Sequence, residues 1–225
     1  MLSLSRVVFI GRSYDEYMRM FSLKEEDIAK KKILDCPAGA CSFTATGSEK
    51  GIDITASDIA YHFPVEQLNE KGSEDILHID ETMSKVTEAY NWDFHENIAE
   101  LVKHRKRALY TCTNHMSKFP RQYVAATLPS LPFTEEEFDI TLSAHFLFTY
   151  SNQLDFKFHL DTIKELLRVT KEEVRIFPLV DLEGKKSRYL NVLREELKND
   201  AIWIEEKVAY EFQKNAHTML RLKKV

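Results

Sequence analysis

Two carboxylates and a run of small residues are the groups in this chain whose spacing points most directly to chemistry. Ile33 and Leu34 run into Asp35, and Cys36, Pro37, Ala38, Gly39, Ala40 and Cys41 follow. Small residues let a ligand approach the main chain closely, and glycine adds the conformational freedom a tight loop needs. The glycine signature is incomplete, so taken alone the stretch is either a binding loop or an ordinary strand-to-helix turn. A second acid, Asp58, closes the apolar, β-branched stretch Ile52–Asp58. A carboxylate at such a strand tip can accept hydrogen bonds from both hydroxyls of a ribose.

The elements that must position these groups follow from local patterning. Ile33–Asp35 reads as a buried strand, Ser42–Glu49 as a short helix and Ile52–Asp58 as a second strand, which together make a βαβ unit. A right-handed crossover between parallel strands puts Asp58 beside the loop after the first strand. Asp53 competes for the ribose role, but it follows the loop too soon for a helix to intervene. Ahead of this unit, Val7–Ile10 is a short strand or an extended lead-in. Ser13-x-x-Glu16 and Ser22-x-x-Glu25 offer two capping boxes, the second for a helix reaching about Lys31. Tyr14, Tyr17, Met18 and Phe21 recur at helical spacing.

From Tyr61 to Met116 the pattern is helical. Ile79, Met83, Val86 and Tyr90 share one stripe, and Ile98, Leu101, Val102 and Leu109 mark another helix. This is too much chain for one crossover helix, so 61–120 reads as a helical insertion that either caps the ligand cleft or covers a sheet edge. Further strands are expected at Gln122–Leu128, Phe138–Ser143 and Val174–Phe177, with helices around Phe156–Leu167 and Leu190–Leu197. Ile202–Phe212 and Thr218–Lys224, separated by the turn Gln213–Ala216, predict a closing antiparallel hairpin. The expected fold class is α/β: a Rossmann-like, mostly parallel sheet flanked by helices, with a C-terminal antiparallel hairpin and a helical insertion after the second strand. One domain spans 1–225, with 1–32 as an N-terminal helical lead-in.

Composition narrows the function classes. The 225 residues, 44% of them hydrophobic, suffice for one sizeable core. A net charge of −5 argues against a nucleic-acid footprint. The basic run Lys103-His104-Arg105-Lys106-Arg107 reads as a solvated helix face, with an acidic substrate or phosphate as the alternative. No apolar run reaches membrane-spanning length, and Met1–Ile10 has no signal-peptide pattern. Cys36, Cys41 and Cys112 lack zinc-type spacing, which leaves reduced thiols and a cytoplasmic setting as the simplest reading. The eight histidines form no His-x-x-x-His or His-Glu-x-x-His pattern, so no metal site is expected.

These residues resemble the class I S-adenosylmethionine-dependent methyltransferase family. Asp35-Cys-Pro-Ala-Gly39-Ala-Cys41 is similar to its first motif, and Asp58 matches the acid ending its second strand. Ala126-Thr127-Leu128-Pro129-Ser130-Leu131-Pro132-Phe133, with Phe138-Asp139 beyond it, resembles the family's third-strand segment. The closing hairpin resembles its last two strands. The resemblance implies S-adenosyl-L-methionine as cofactor, bound by Asp35, Pro37, Ala38, Gly39, Ala40, Cys41, Asp58, Ile59, Thr127, Leu128 and Ser143. In that assignment Asp35 fixes the amino group, directly or through water, Asp58 holds the ribose and Ile59 packs on the adenine. Pro37 and Cys41 replace family glycines, and Thr127 replaces an acid that binds the adenine amino group. Ser143-Ala144-His145-Phe146 is not the Asn/Asp-Pro-Pro-aromatic signature of amino-methylating nucleic-acid enzymes.

Methyl transfer from a sulfonium demands mainly proximity and alignment, with a base only where the acceptor sheds a proton. His145, after the fourth strand, is placed to be that base or else is structural. Arg12, Tyr14 and Tyr17 either close over donor and acceptor or pack in the core. The leading expectation is methyl transfer to a small-molecule acceptor, with no nucleic-acid or membrane partner and the oligomeric state open. The alternatives are a non-catalytic S-adenosylmethionine- or S-adenosylhomocysteine-binding protein and a nicotinamide-dependent oxidoreductase.

Overall fold

A computed structural model of the chain describes residues 7–83 and 86–225. Residues 1–6 of the lead-in and 84–85 of the helical segment lie outside the described residues. Seven strands form one sheet: β1 (Lys32–Asp35), β2 (Asp53–Asp58), β3 (Tyr123–Ala125), β4 (Phe138–Ala144), β5 (Thr170–Phe177), β6 (Ala201–Lys207) and β7 (Thr218–Lys224). Their spatial order is β3-β2-β1-β4-β5-β7-β6, with β1 to β5 parallel and β7 antiparallel to both β5 and β6. Helices cover both faces, as parallel strands require. Alternation along β1 shows why: Ile33 joins one apolar cluster and Leu34 the other.

Helix α1 (Tyr14–Met20) starts at a formed capping box, Ser13 with Glu16, and α2 spans Glu25–Ile28. The second capping box does not form. Lys24, not Ser22, precedes α2 with no side-chain cap, and Ser22 itself takes a left-handed φ of 47°. Val7–Ile10 is an extended lead-in, not a strand. Helix α3 (Phe43–Glu49) makes the β1–β2 crossover, while α4 (Val65–Met83) and α5 (Ile98–Lys118) stand between β2 and β3. The stripe read through Val86 and Tyr90 breaks at Met83: Val86 is exposed, and Tyr90 bridges to Gln213. Helix α6 (Phe156–Val169) links β4 to β5, and α7 (Leu190–Glu196) precedes β6.

Two strands are shorter than their patterns suggest. β3 stops at Ala125 because Thr127 to Ser130 fold into a turn around Pro129. β6 stops at Lys207, and the following segment turns inward so that Tyr210, Phe212 and Ala216 join the core.

The basic run on α5 is not wholly solvated, which corrects its reading as an exposed face. Arg105, 1% exposed, turns inward to meet Glu16 of α1 as a bidentate pair at 2.7 and 2.9 Å. It also donates to the Gly11 carbonyl at 3.2 Å. That carbonyl belongs to the extended strap 7–13, which crosses the loop after β1. Ser42 N donates to Arg12 O at 2.9 Å, and a Cβ on Gly11 would lie 1.8 Å from the Ala40 carbonyl oxygen. Backbone meets backbone there, so no side chain can swing aside. Gly11→Ala is therefore expected to cost at least about 2 kcal/mol, as overpacking between rigid elements does. Urea unfolding checks this, and an unchanged midpoint in Gly11→Ala would contradict it.

Candidate functional site

The loop after β1 is pinned by the strands on either side. Cys36 N donates to Leu142 O of β4 at 2.9 Å, and Ala38 N to Ser57 O of β2 at 3.0 Å. Register puts Asp35 opposite Ala56 and Leu142, so Asp35 ends the central strand between both neighbours. Gly39 turns the loop at φ +55°, and its amide donates to Asp58 Oδ2 at 2.8 Å. Asp58 Oδ1 takes the Ala60 amide, also at 2.8 Å. The sequence thus folds one carboxylate onto the turn that the other introduces.

The two acids differ in how well they are satisfied. Asp58 is buried, and each of its oxygens accepts one backbone N–H, which leaves further acceptor capacity on both. Burial raises its carboxyl above the ordinary range, against the pull of the Ala60 and Gly39 amides. Asp35 is 0% exposed; its Oδ1 accepts the Tyr17 hydroxyl at 2.9 Å, and its Oδ2 has no partner among the described residues. Burial pushes the Asp35 carboxyl well above its usual value, Tyr17 opposes this, and the Asp58 charge adds to it. A buried acceptor without a donor is costly, so this oxygen marks a place where a donor is wanted.

The remaining site residues fall into three groups. Pro37, Ala38, Ala40 and Cys41 sit in the pinned loop, where Cys41 Sγ accepts the Arg12 amide at 3.2 Å. Burial lifts the Cys41 thiol to about 12, which removes it as a nucleophile near neutral pH. Ser143, on the β4 edge beside this loop, has a buried hydroxyl without a partner among the described residues. His145 stands one residue beyond β4 with a left-handed φ of 50°, and its Nε2 is shielded and without a partner among the described residues. Burial, and then the Arg12 charge, holds its imidazole well below the usual range. Ile59 is half-buried in the turn after β2, Leu128 packs on the core, and Thr127 is exposed in the turn after β3.

Tyr14 and Tyr17 are not closing residues, which corrects that part of their reading. Both stack on Phe43, at 5.5 and 4.8 Å between ring centroids, and both are buried. Tyr14 reaches Glu25, and Tyr17 supports Asp35 from beneath. Sequence reasoning missed Glu16, Arg105 and Tyr210 beside the loop. The capping box explained Glu16 completely, so nothing in the local pattern called for a second partner.

No family model matches the chain. It is 37% identical, over 224 residues and 99% of each chain, to the uncharacterised protein MJ0045 of Methanocaldococcus jannaschii. Among solved structures, it is similar to magnesium protoporphyrin IX methyltransferase from Synechocystis PCC 6803, crystallised with bound S-adenosylmethionine. That likeness has a TM-score of 0.51 at 8% identity and covers 94% of this chain and 78% of that one. The PH0226 protein of Pyrococcus horikoshii OT3 is similar at a TM-score of 0.52 and 12% identity, over 94% of this chain and 91% of that one. The shared feature is the Rossmann-like sheet with its C-terminal antiparallel pair.

The raised Asp35 carboxyl makes the stability of the fold depend on pH. The folded state keeps this proton to higher pH than the unfolded chain, so its contribution to stability is present at acid pH. That contribution is lost as pH rises from about 3.8 through the folded value. Asp35→Asn should therefore gain stability on the wild type as pH rises from 5 to 8. Urea midpoints at the two pH values measure this; an unchanged difference would contradict it.

Proposed function

We propose that this chain, which belongs to one family with the Methanocaldococcus jannaschii protein and has the class I S-adenosylmethionine-dependent methyltransferase fold, binds S-adenosyl-L-methionine and transfers its methyl group to a small molecule. The observation that carries the reading is Asp35 Oδ2, a buried acceptor without a donor at the end of the central strand. The methionine ammonium is the donor it lacks. The loop Pro37–Cys41 offers main chain and small side chains for the methionine part. Asp58 retains a lone pair on each oxygen for the ribose hydroxyls, since each backbone bond uses only one. The residues present therefore fit the group.

Bound there, the sulfonium supplies an activated methyl group. The chain's own work is orientation: Tyr17 holds Asp35, Gly39 and Ala60 hold Asp58, and the β1 and β2 ends fix the spacing between the two acids. Such pre-alignment supplies much of the rate acceleration in a displacement of this kind. Thr127 is exposed in the turn after β3, so a bond from its hydroxyl to the adenine amino group is open to water. Among the described residues no helix is long and apolar enough to cross a membrane. The buried, unpaired Cys36, Cys41 and Cys112 support a cytoplasmic setting. The antiparallel β7 favours this donor over a nicotinamide, which doubly wound parallel sheets bind.

Calorimetric titration with S-adenosylhomocysteine should show binding, and with NADH none. Asp58→Ala should weaken the first at least about tenfold, the equivalent of about 1.4 kcal/mol. Binding of NADH without S-adenosylhomocysteine would overturn the donor; unchanged affinity in Asp58→Ala would overturn the ribose assignment.

A further inference from the structure

Beside the loop lies a buried charge cluster that donor binding leaves unused. Glu16 accepts from Arg105 twice, from Tyr210 Oη at 2.7 Å and from Ser13 N at 2.7 Å, with His95 Nε2 at 3.4 Å. Against a burial penalty that would raise it, the Arg105 charge and these bonds hold the Glu16 carboxyl well below its ordinary range. It is ionised and fully engaged. A second guanidinium, Arg12, has Glu16 Oε1 only at 4.0 Å, and its buried Nε has no partner among the described residues. Burial lowers both His95 and His145, so neither offsets the balance. The cluster thus sets two guanidiniums against one carboxylate, and a second anion would balance it.

The surroundings say what kind of anion. His145 packs on Phe177 at 5.4 Å, and Phe177 packs on Tyr210 at 5.9 Å, so the imidazole and Glu16 share one aromatic layer. The half-buried rings of Tyr90 and Trp92 pack on Phe212 at 4.8 and 5.5 Å, and the Arg12 charge acts on the Tyr90 hydroxyl. A guanidinium with only one long ion pair and no hydrogen bond at Nε, a ring nitrogen without a partner among the described residues and half-buried aromatic rings therefore surround this cluster, with Arg12 against the loop that receives the donor.

We propose that Arg12 and His145 form the acceptor subsite and that the acceptor is a small organic acid with a planar, apolar body. Arg12 takes its oxyanion, Tyr90 and Trp92 take its ring, and His145 Nε2 faces the attacking N–H or O–H. As the bond from that atom to the methyl carbon forms, the sulfur–methyl bond breaks and its electron pair stays on sulfur. The proton of the attacking atom passes to Nε2, and the left-handed backbone at His145 is the strain that aims the ring there. The inference rests on the donor reading above.

The test is calorimetry on the full chain saturated with S-adenosylhomocysteine, with benzoate, neutral benzamide and inorganic phosphate as probes. Benzoate should bind at least tenfold more tightly than benzamide and more tightly than phosphate. Arg12→Gln should abolish the preference for benzoate over benzamide while S-adenosylhomocysteine affinity stays within twofold, and Arg12→Lys should retain part of that preference. Equal binding of benzoate and benzamide overturns the anion site. A tenfold loss of S-adenosylhomocysteine affinity in Arg12→Gln, with the benzoate preference intact, overturns it too, since Arg12 then serves the donor. At least one of the three hydroxybenzoates should move the His145 Nε2 nitrogen signal in a labelled sample, assigned by its loss in His145→Asn. No movement with any of them overturns the proton role. If S-adenosylhomocysteine does not bind the wild type, the donor reading fails by itself, and the benzoate arms on the free protein still decide the anion site.

Discussion

The Glu16–Arg105 pair is the interaction on which the rest of the site depends. It buries two charges, an arrangement whose desolvation cost is repaid only by near-complete hydrogen bonding. Glu16 achieves that by drawing partners from the strap before α1, from α5 and from the segment after β6. Losing either partner would strand a buried charge at a cost of about 3–5 kcal/mol. The consequence for the site is indirect but firm. Arg105 also grips the Gly11 carbonyl, Gly11 lies on the Ala40 carbonyl, and Arg12 bonds Ser42, so the pair clamps the strap onto the loop after β1.

The loop held in this way contrasts with the polar atoms around it. Asp35 Oδ2, Ser143 Oγ, Arg12 Nε and His145 Nε2 are all buried and without a hydrogen bond among the described residues, and all lie at the C-terminal edge of β1 and β4 or on the strap beside it. Native interiors carry few such atoms. A rigid scaffold that leaves these groups unmatched has given up stability where a ligand could restore it, the usual relation between stability and function. Open α/β sheets bind ligands at this edge because the strand order reverses there, between β1 and β4 in this chain.

Much of this was legible in the sequence because it rests on period and position. Ile33–Asp35 and Ile52–Asp58 read as strands from their apolar and β-branched content, and their parallel pairing brought Gly39 and Asp58 together. The final antiparallel pair was legible from its two strand-like runs. What was not legible depends on distant partners. Arg105 looked solvated because its sequence neighbours are, and only the 89-residue contact to Glu16 turns it inward. Ser22-x-x-Glu25 matched a capping box, but the left-handed turn at Ser22 spends that residue on the chain reversal after α1. Tyr14 and Tyr17 have the same helical spacing whether they close a cleft or stack on Phe43, and only the packing distinguishes the two.

The most direct measurement of the central claim is a crystal structure of the chain with S-adenosylhomocysteine. The amino group is expected within hydrogen-bond distance of Asp35 Oδ2, the ribose hydroxyls on Asp58 and the thioether against Pro37–Cys41. A ligand seated elsewhere, such as the cavity of about 460 Å³ bordered by Lys31, Arg175 and Arg221, would contradict it. So would a ligand at this edge whose amino group leaves Asp35 Oδ2 unpartnered.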